Sequence, residues 1–382
     1  SKRTATGHQK LIYKNIEGVE LADLVFHLYP NAYKTLETVP SIGSPSKCFP
    51  DGFNPRYIEV SNIKVNGKAV EHKASGMVLK LTLNNAIKVN EKAEIDMDFT
   101  IKIPKSTGRF GTYNGTSQFV YWNPILAVYD KGWQVREYYV IGESNYSEVS
   151  DYNVKITLPQ EQKVASTGVI TSETKAKEKG LKVVNVDAKN VRDFAWVCNK
   201  DFVIEEKEVE GIKVKSFYTP KNAAVGTKAD DIGAEVFKYY NKLFGKYPYE
   251  EFDIVETYLT GGGMEYPQLI SLGQGYFQQK EFLEHVIAHE IAHQWWYVTV
   301  GNDAYTYPWL DEGFATYTTD MYTSYKSQLK GDLEALMANY YSAKTSNIAV
   351  NSSVDKFASW SEYSPIIYRN GAIALHELRS NV

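Results

Sequence analysis

Cysteine is scarce. The chain holds 2 in 382 residues, Cys48 and Cys198, far apart and outside any C-x-x-C pattern. That excludes a disulfide framework and a thiolate zinc site, and leaves two ordinary buried thiols as the expectation. No run of 18 apolar residues occurs, so no transmembrane helix is expected. Neither sign of charge dominates: 42 Lys+Arg face 46 Asp+Glu, for a net charge of −4. This speaks against nucleic acid or an anionic membrane as the main partner. Internal repeats and low-complexity segments are missing too. What remains is an ordinary globular composition, 43% hydrophobic and 23% charged. The length suits two or three domains. Tyrosine, with 29 copies, is too common for any one to be given a role by type.

The first two hundred residues read as antiparallel β structure. Asn66-Gly67, between the runs 57–65 and 68–70, is a two-residue hairpin signal. The runs 77–83, 95–103, 153–158 and 182–186 alternate apolar and polar side chains or read as short strands. Such spacing suggests a sandwich or saddle. The charged stretch 205–211, EEKEVEG, marks the expected boundary between an N-terminal β domain (1–206) and a second domain (207–382). In the second domain, residues 229–244 carry a helical pattern, 252–259 and 269–272 read as strands, and helix dominates from Glu281 onward.

Histidine is also rare, with 7 copies, yet two of them stand four apart in His289-Glu290-Ile291-Ala292-His293. On a helix these side chains lie one turn apart on one face, where both imidazoles converge on one metal ion. The glutamate between them is placed to take a proton from a water activated by that metal. By chance an H-E-x-x-H match arises in about one such chain in a hundred, so a third ligand is needed. Beyond Gly301-Asn302-Asp303, Pro308 opens a second helical segment carrying Asp311 and Glu312. Two antiparallel helices would return Glu312 to the metal. Asp311 is the adjacent competitor, about 100° away around the helix.

HEIAHQWW, with 18 residues between His293 and the glutamate of WLDEGFATY, resembles the gluzincin aminopeptidases related to aminopeptidase N. Gly261-Gly262-Gly263-Met264-Glu265 resembles that family's G-x-M-E-N element, and Tyr368-Arg369-Asn370-Gly371-Ala372 its Y-x-K-G-A segment. The resemblance implies an all-β N-terminal domain followed by an α+β, thermolysin-like catalytic domain, C-terminally truncated and without the family's helical C-terminal domain. It implies one Zn2+ per chain held by His289, His293 and Glu312, with Glu290 as general base and Tyr368 as the donor to the oxyanion. It also implies that Gly262, Gly263, Met264 and Glu265 bind substrate. Glu265 would anchor the free α-ammonium of a peptide, making an aminopeptidase rather than an endopeptidase.

The chain departs from the family at several points. Tyr266 replaces the usual asparagine and Asn370 the usual lysine. Thr319 stands where many members carry a carboxylate, which leaves the group that orients the zinc histidines unassigned. A second contact to the amine is expected from the region of Phe119-Val120-Tyr121-Trp122-Asn123-Pro124. His285 is expected to be a surface or packing residue, and Trp295 and Trp296 to be core packing. Two rival readings stand beside the aminopeptidase: a thermolysin-like endopeptidase, and a binding or scaffold protein on a retired peptidase fold. The polar start favours a secreted or cell-surface domain over a cytoplasmic one.

Overall fold

A computed structural model describes residues 3–40, 45–136, 138–327, 332–342 and 347–381. The chain divides into two compact units. One comprises Ser1–Thr112, Phe119–Val140 and Ser144–Glu148; the other Tyr113–Gln118, Ile141–Glu143 and Val149–Val382. The strands between Ser150 and Asn199 therefore belong with the later unit, although the composition changes only after them.

The first unit contains two four-stranded antiparallel sheets. One orders the strands Thr4–Lys14, Lys92–Lys102, Ile58–Val65 and Lys68–Ala69; the other Ile125–Leu126, Leu21–His27, Val78–Ile87 and Glu71–Ser75. Along Lys92–Lys102 every second residue (Ala93, Ile95, Met97, Phe99, Ile101) is buried, as a two-residue side-chain period demands. The expected hairpin forms at Asn66-Gly67. Both residues take positive φ (50° and 74°), and Val65 pairs with Lys68, the pattern of a type I′ turn.

In the second unit, strands Ser150–Pro159, Leu181–Val191 and Val169–Lys175 form one antiparallel sheet. A five-stranded mixed sheet follows, built from β1 (Val203–Val209), β2 (Ile212–Tyr218), β3 (Glu251–Thr257), β4 (Gly263–Tyr266) and β5 (Leu269–Gly273) in the order β1-β2-β3-β5-β4. β2, β3 and β5 run parallel, while the edge strand β4 is antiparallel to β5. Four helices matter for the site: α1 (Ala229–Phe244), α2 (Lys280–Ala292), α3 (Pro308–Ser327) and α4 (Gly371–Asn381). α1 and α2 bury Val236, Phe237, Ile287 and Ile291 against Val214, Phe252, Ile254 and Ile270 of the sheet. Trp295 joins that core, and Trp296 packs at its margin and against Phe314. Among the described residues, no helix is long and apolar enough to cross a membrane. The N-terminal antiparallel strands and the later mixed sheet with helices match the expected fold class. Cys48 and Cys198 are buried free thiols, as expected.

Candidate metal centre and active site

α2 carries His289 and Glu290 in its last turn, and His293 caps its C-terminus with αR dihedrals. The helical spacing survives the end of the helix, so the two imidazoles stand with ring centroids 5.0 Å apart. α3 begins at Pro308 and presents Glu312 to them. Glu312 Oε2 lies 3.2 Å from His289 Nε2 and 3.5 Å from His293 Nε2. Four ligands placed ~2.1 Å from a zinc ion in a tetrahedron stand about 3.4 Å from one another. The two imidazole nitrogens and the carboxylate thus fit zinc in type and in spacing. Burial alone would raise the Glu312 carboxyl, but the two histidines outweigh it and hold it well below the usual carboxylate range.

Asp311 takes the other side of the same ring. Its Oδ1 lies 2.8 Å from His293 Nδ1, which also faces the Trp296 carbonyl at 3.1 Å. Asp311 and Glu312, consecutive in the chain, thus address opposite nitrogens of one imidazole. A carboxylate behind a metal-binding histidine fixes its tautomer and ring orientation. Asp311 is the carboxylate beside Nδ1, while the hydrogen bond of that nitrogen goes to the Trp296 carbonyl. The 100° helical offset that argued against it as a ligand is what turns it toward Nδ1. Burial raises its carboxyl to about 7, against the pull of His293. Thr319 is not part of this arrangement: its hydroxyl donates to the Ala315 carbonyl inside α3.

Glu290 is buried beside the donors, and one of its carboxylate oxygens lies within 4.8 Å of ligand atoms of both Glu265 and His293. Burial, and after it the Glu265 carboxylate, push the Glu290 carboxyl well above its usual range. Glu265 sits on β4, and the glycines ahead of it have a steric reason. A Cβ on Gly263 would lie 2.4 Å from Glu290 Oε1, so only glycine lets the strand pass the carboxylate. Gly262 takes φ 62° before the strand begins, and Met264 is buried within it.

Tyr368 lies on a π-helical turn, Pro365–Asn370, just before α4. Such turns insert an extra residue into a helix and are frequent at functional sites. Its hydroxyl donates to Glu312 Oε1 at 2.6 Å, and its ring stacks near His289. Burial and the Glu312 charge push this hydroxyl well above its usual range, so it stays a proton donor at neutral pH.

Two further groups join from outside the four motifs. Tyr363 is fully buried edge-on to Tyr368. Glu143 is buried, and its charge acts on Glu290, Tyr363 and Tyr368. Gly142, at φ 69°, precedes it, and a Cβ there would lie 2.8 Å from the Tyr363 hydroxyl. The segment Phe119–Pro124, singled out in the sequence, belongs to the first unit. His285 is exposed one turn before His289.

Two imidazoles, a carboxylate and a buried glutamate beside them are the apparatus of a metal-dependent hydrolase. Residues 229–382 match the Peptidase family M1 domain. That match is in line with the aminopeptidase N-like resemblance of the sequence. Among similar proteins, Aminopeptidase 2 of Candida albicans is 29% identical over 138 residues, covering 33% of this chain and 14% of the relative. Aminopeptidase M1 of Arabidopsis thaliana is 30% identical over 131 residues, covering 31% of this chain and 15% of the relative. The chain thus spans only about a seventh of these curated relatives in the matched stretches. The M1 zinc metallopeptidase from Deinococcus radiodurans superposes with a TM-score of 0.71 at 19% identity, over 99% of this chain and 78% of that one. At this identity the likeness is one of fold, and it includes the N-terminal β region.

Proposed function

We propose that the chain acts as a zinc-dependent aminopeptidase, removing the N-terminal residue from peptides with a free N-terminus. One observation carries the reading: the Glu265 carboxylate stands within 4.8 Å of the ligand atoms of Glu290 and His293. A peptide's α-ammonium is separated from its first scissile carbonyl by a single Cα. A carboxylate this close to the base and the metal donors suits that ammonium and leaves little room for residues on the N-terminal side. This favours an exopeptidase over a thermolysin-like endopeptidase. A Deinococcus M1 metallopeptidase variant solved with a Tyr-Ser-Ala substrate bound is consistent with peptide chemistry on this fold.

His289, His293 and Glu312 would hold the ion. When bound, zinc supplies a Lewis acid that activates a water and polarises a carbonyl, and its charge favours the ionised form of nearby carboxylates. Glu290 accepts the water's proton as general base and returns it to the leaving amine. Tyr368 donates a hydrogen bond to the oxygen on which negative charge develops. Glu265 pairs with the α-ammonium. Asp311 keeps the His293 ring in the orientation its ligand role needs.

Glu290→Gln tests the assignment. The variant should keep about one zinc per chain and lose activity toward aminoacyl anilides on the order of 10²–10⁴-fold. Undiminished turnover would remove Glu290 as the base. Wild-type preference for amino-blocked peptides would favour the endopeptidase, and wild-type protein that holds no zinc would favour the scaffold.

A further inference from the structure

Gln294 follows the second histidine of the motif and has no part in the chemistry above. It is completely buried. Its amide is used at both ends: Nε2 donates to the Tyr266 carbonyl at 3.1 Å, and Oε1 accepts from the Gln268 backbone N–H at 3.0 Å. Those two groups lie on the turn that joins β4 to β5. Gln268 itself takes φ 60°, a left-handed conformation unusual for a side chain other than Gly, Asn or Asp. Tyr266 and Gln268 are both buried, so without Gln294 a buried carbonyl and a buried N–H would lose these partners.

The clamp has a particular position. Gln294 is one residue beyond His293, and Tyr266 is one residue beyond Glu265. A rigid amide bridge thus ties the neighbour of a metal donor to the neighbour of the amine-binding acid. The far end is tied as well: the Gln294 carbonyl accepts the Thr299 hydroxyl at 2.7 Å. We infer that Gln294 is a positioning residue that sets the spacing between the Glu265 carboxylate and the metal donors, and through that spacing the demand for a free α-ammonium. The inference rests on the aminopeptidase reading. A merely structural glutamine would stabilise the hairpin but leave amine selectivity unaffected once the protein is folded and loaded.

The test compares zinc-loaded wild type with Gln294→Leu and Gln294→Glu. The probes are L-leucine p-nitroanilide as substrate, and L-leucinamide against its des-amino analogue, 4-methylpentanamide, as competitive inhibitors. Wild type should favour the amine-bearing inhibitor. In Gln294→Leu that preference should fall about tenfold or more, equivalent to about 1.4 kcal/mol, with KM rising by more than kcat falls. Gln294→Glu keeps the acceptor for Gln268, and its carboxyl, protonated in so buried a place, can still donate to the Tyr266 carbonyl. It should show a smaller loss, and it serves alone if the leucine variant does not fold. An unchanged inhibitor ratio in the folded, zinc-loaded variants overturns this inference alone. Wild type indifferent to the amine overturns the aminopeptidase reading and this inference with it.

Discussion

Glu312 divides the work of its two oxygens. Oε2 faces both histidines, while Oε1 accepts the Tyr368 hydroxyl. The hydroxyl therefore has a resting partner that it must share or leave when a developing oxyanion arrives. Tyr368→Phe keeps the ring against His289 and removes only the donor. Its kcat should fall on the order of 10²–10³-fold with zinc content unchanged; a loss under about tenfold in steady-state assays would remove Tyr368 from this role. At this scale the sequence was legible where helical period fixed the geometry, as for His289, Glu290 and His293. Glu312, on another helix, was legible only through the expected pairing of two helices and the family resemblance. Asp311 was not legible as an orienting group, because its role depends on which nitrogen of a ring it meets. Glu143 was not legible at all, because nothing local in its sequence ties it to α2.

Between elements, α3 and α4 meet backbone to backbone through two glycines. A Cβ on Gly313 would lie 3.0 Å from the Gly371 Cα, and one on Gly371 would lie 2.9 Å from the Gly313 Cα. Gly313 directly follows Glu312, and Gly371 begins the helix just after Tyr368. Their contact lets α3 and α4 approach closely enough for the tyrosine to reach the glutamate. Gly371→Ala should cost about 1–3 kcal/mol through overpacking and should lower kcat by disturbing that hydrogen bond. Gly275→Ala, where an added Cβ meets nothing within 4 Å, is the control. Calorimetry and kcat on both variants decide the matter: if both behave like wild type, the glycine contact does not hold the pair together. The helix at 229–244 was readable from its apolar spacing. The π turn under Tyr368 was not, because so short a segment, Pro365–Asn370, holds too few apolar positions for a one-residue shift of the repeat to show.

Over the whole molecule, buried carboxyls give stability an unusual pH dependence. Asp193 is buried, its Oδ2 accepts the Tyr297 hydroxyl, and burial pushes its carboxyl up to about 7. The folded protein keeps that proton up to about pH 7, while the unfolded chain gives it up near ~4. Between those values the folded state binds more protons, so this group's contribution to stability falls as pH rises. Asp193→Asn removes the slope. The variant's Tm minus that of wild type should therefore rise from about pH 5 to about pH 8, and a flat difference in scanning calorimetry would count against it. The order of the fold, β structure first and a mixed sheet with helices after, could be read from strand spacing and helical period. The division into units could not, because compactness is set by packing and composition changes elsewhere. Ile141–Glu143 and Tyr113–Gln118 belong to the later unit although the chain on both sides of them belongs to the earlier one. The gene therefore cannot be cut once to yield both units whole. A fragment beginning at Val149 would carry every proposed metal donor and still leave Glu143 behind, and one beginning at residue 207 would also forfeit the strands from Ser150 to Asn199.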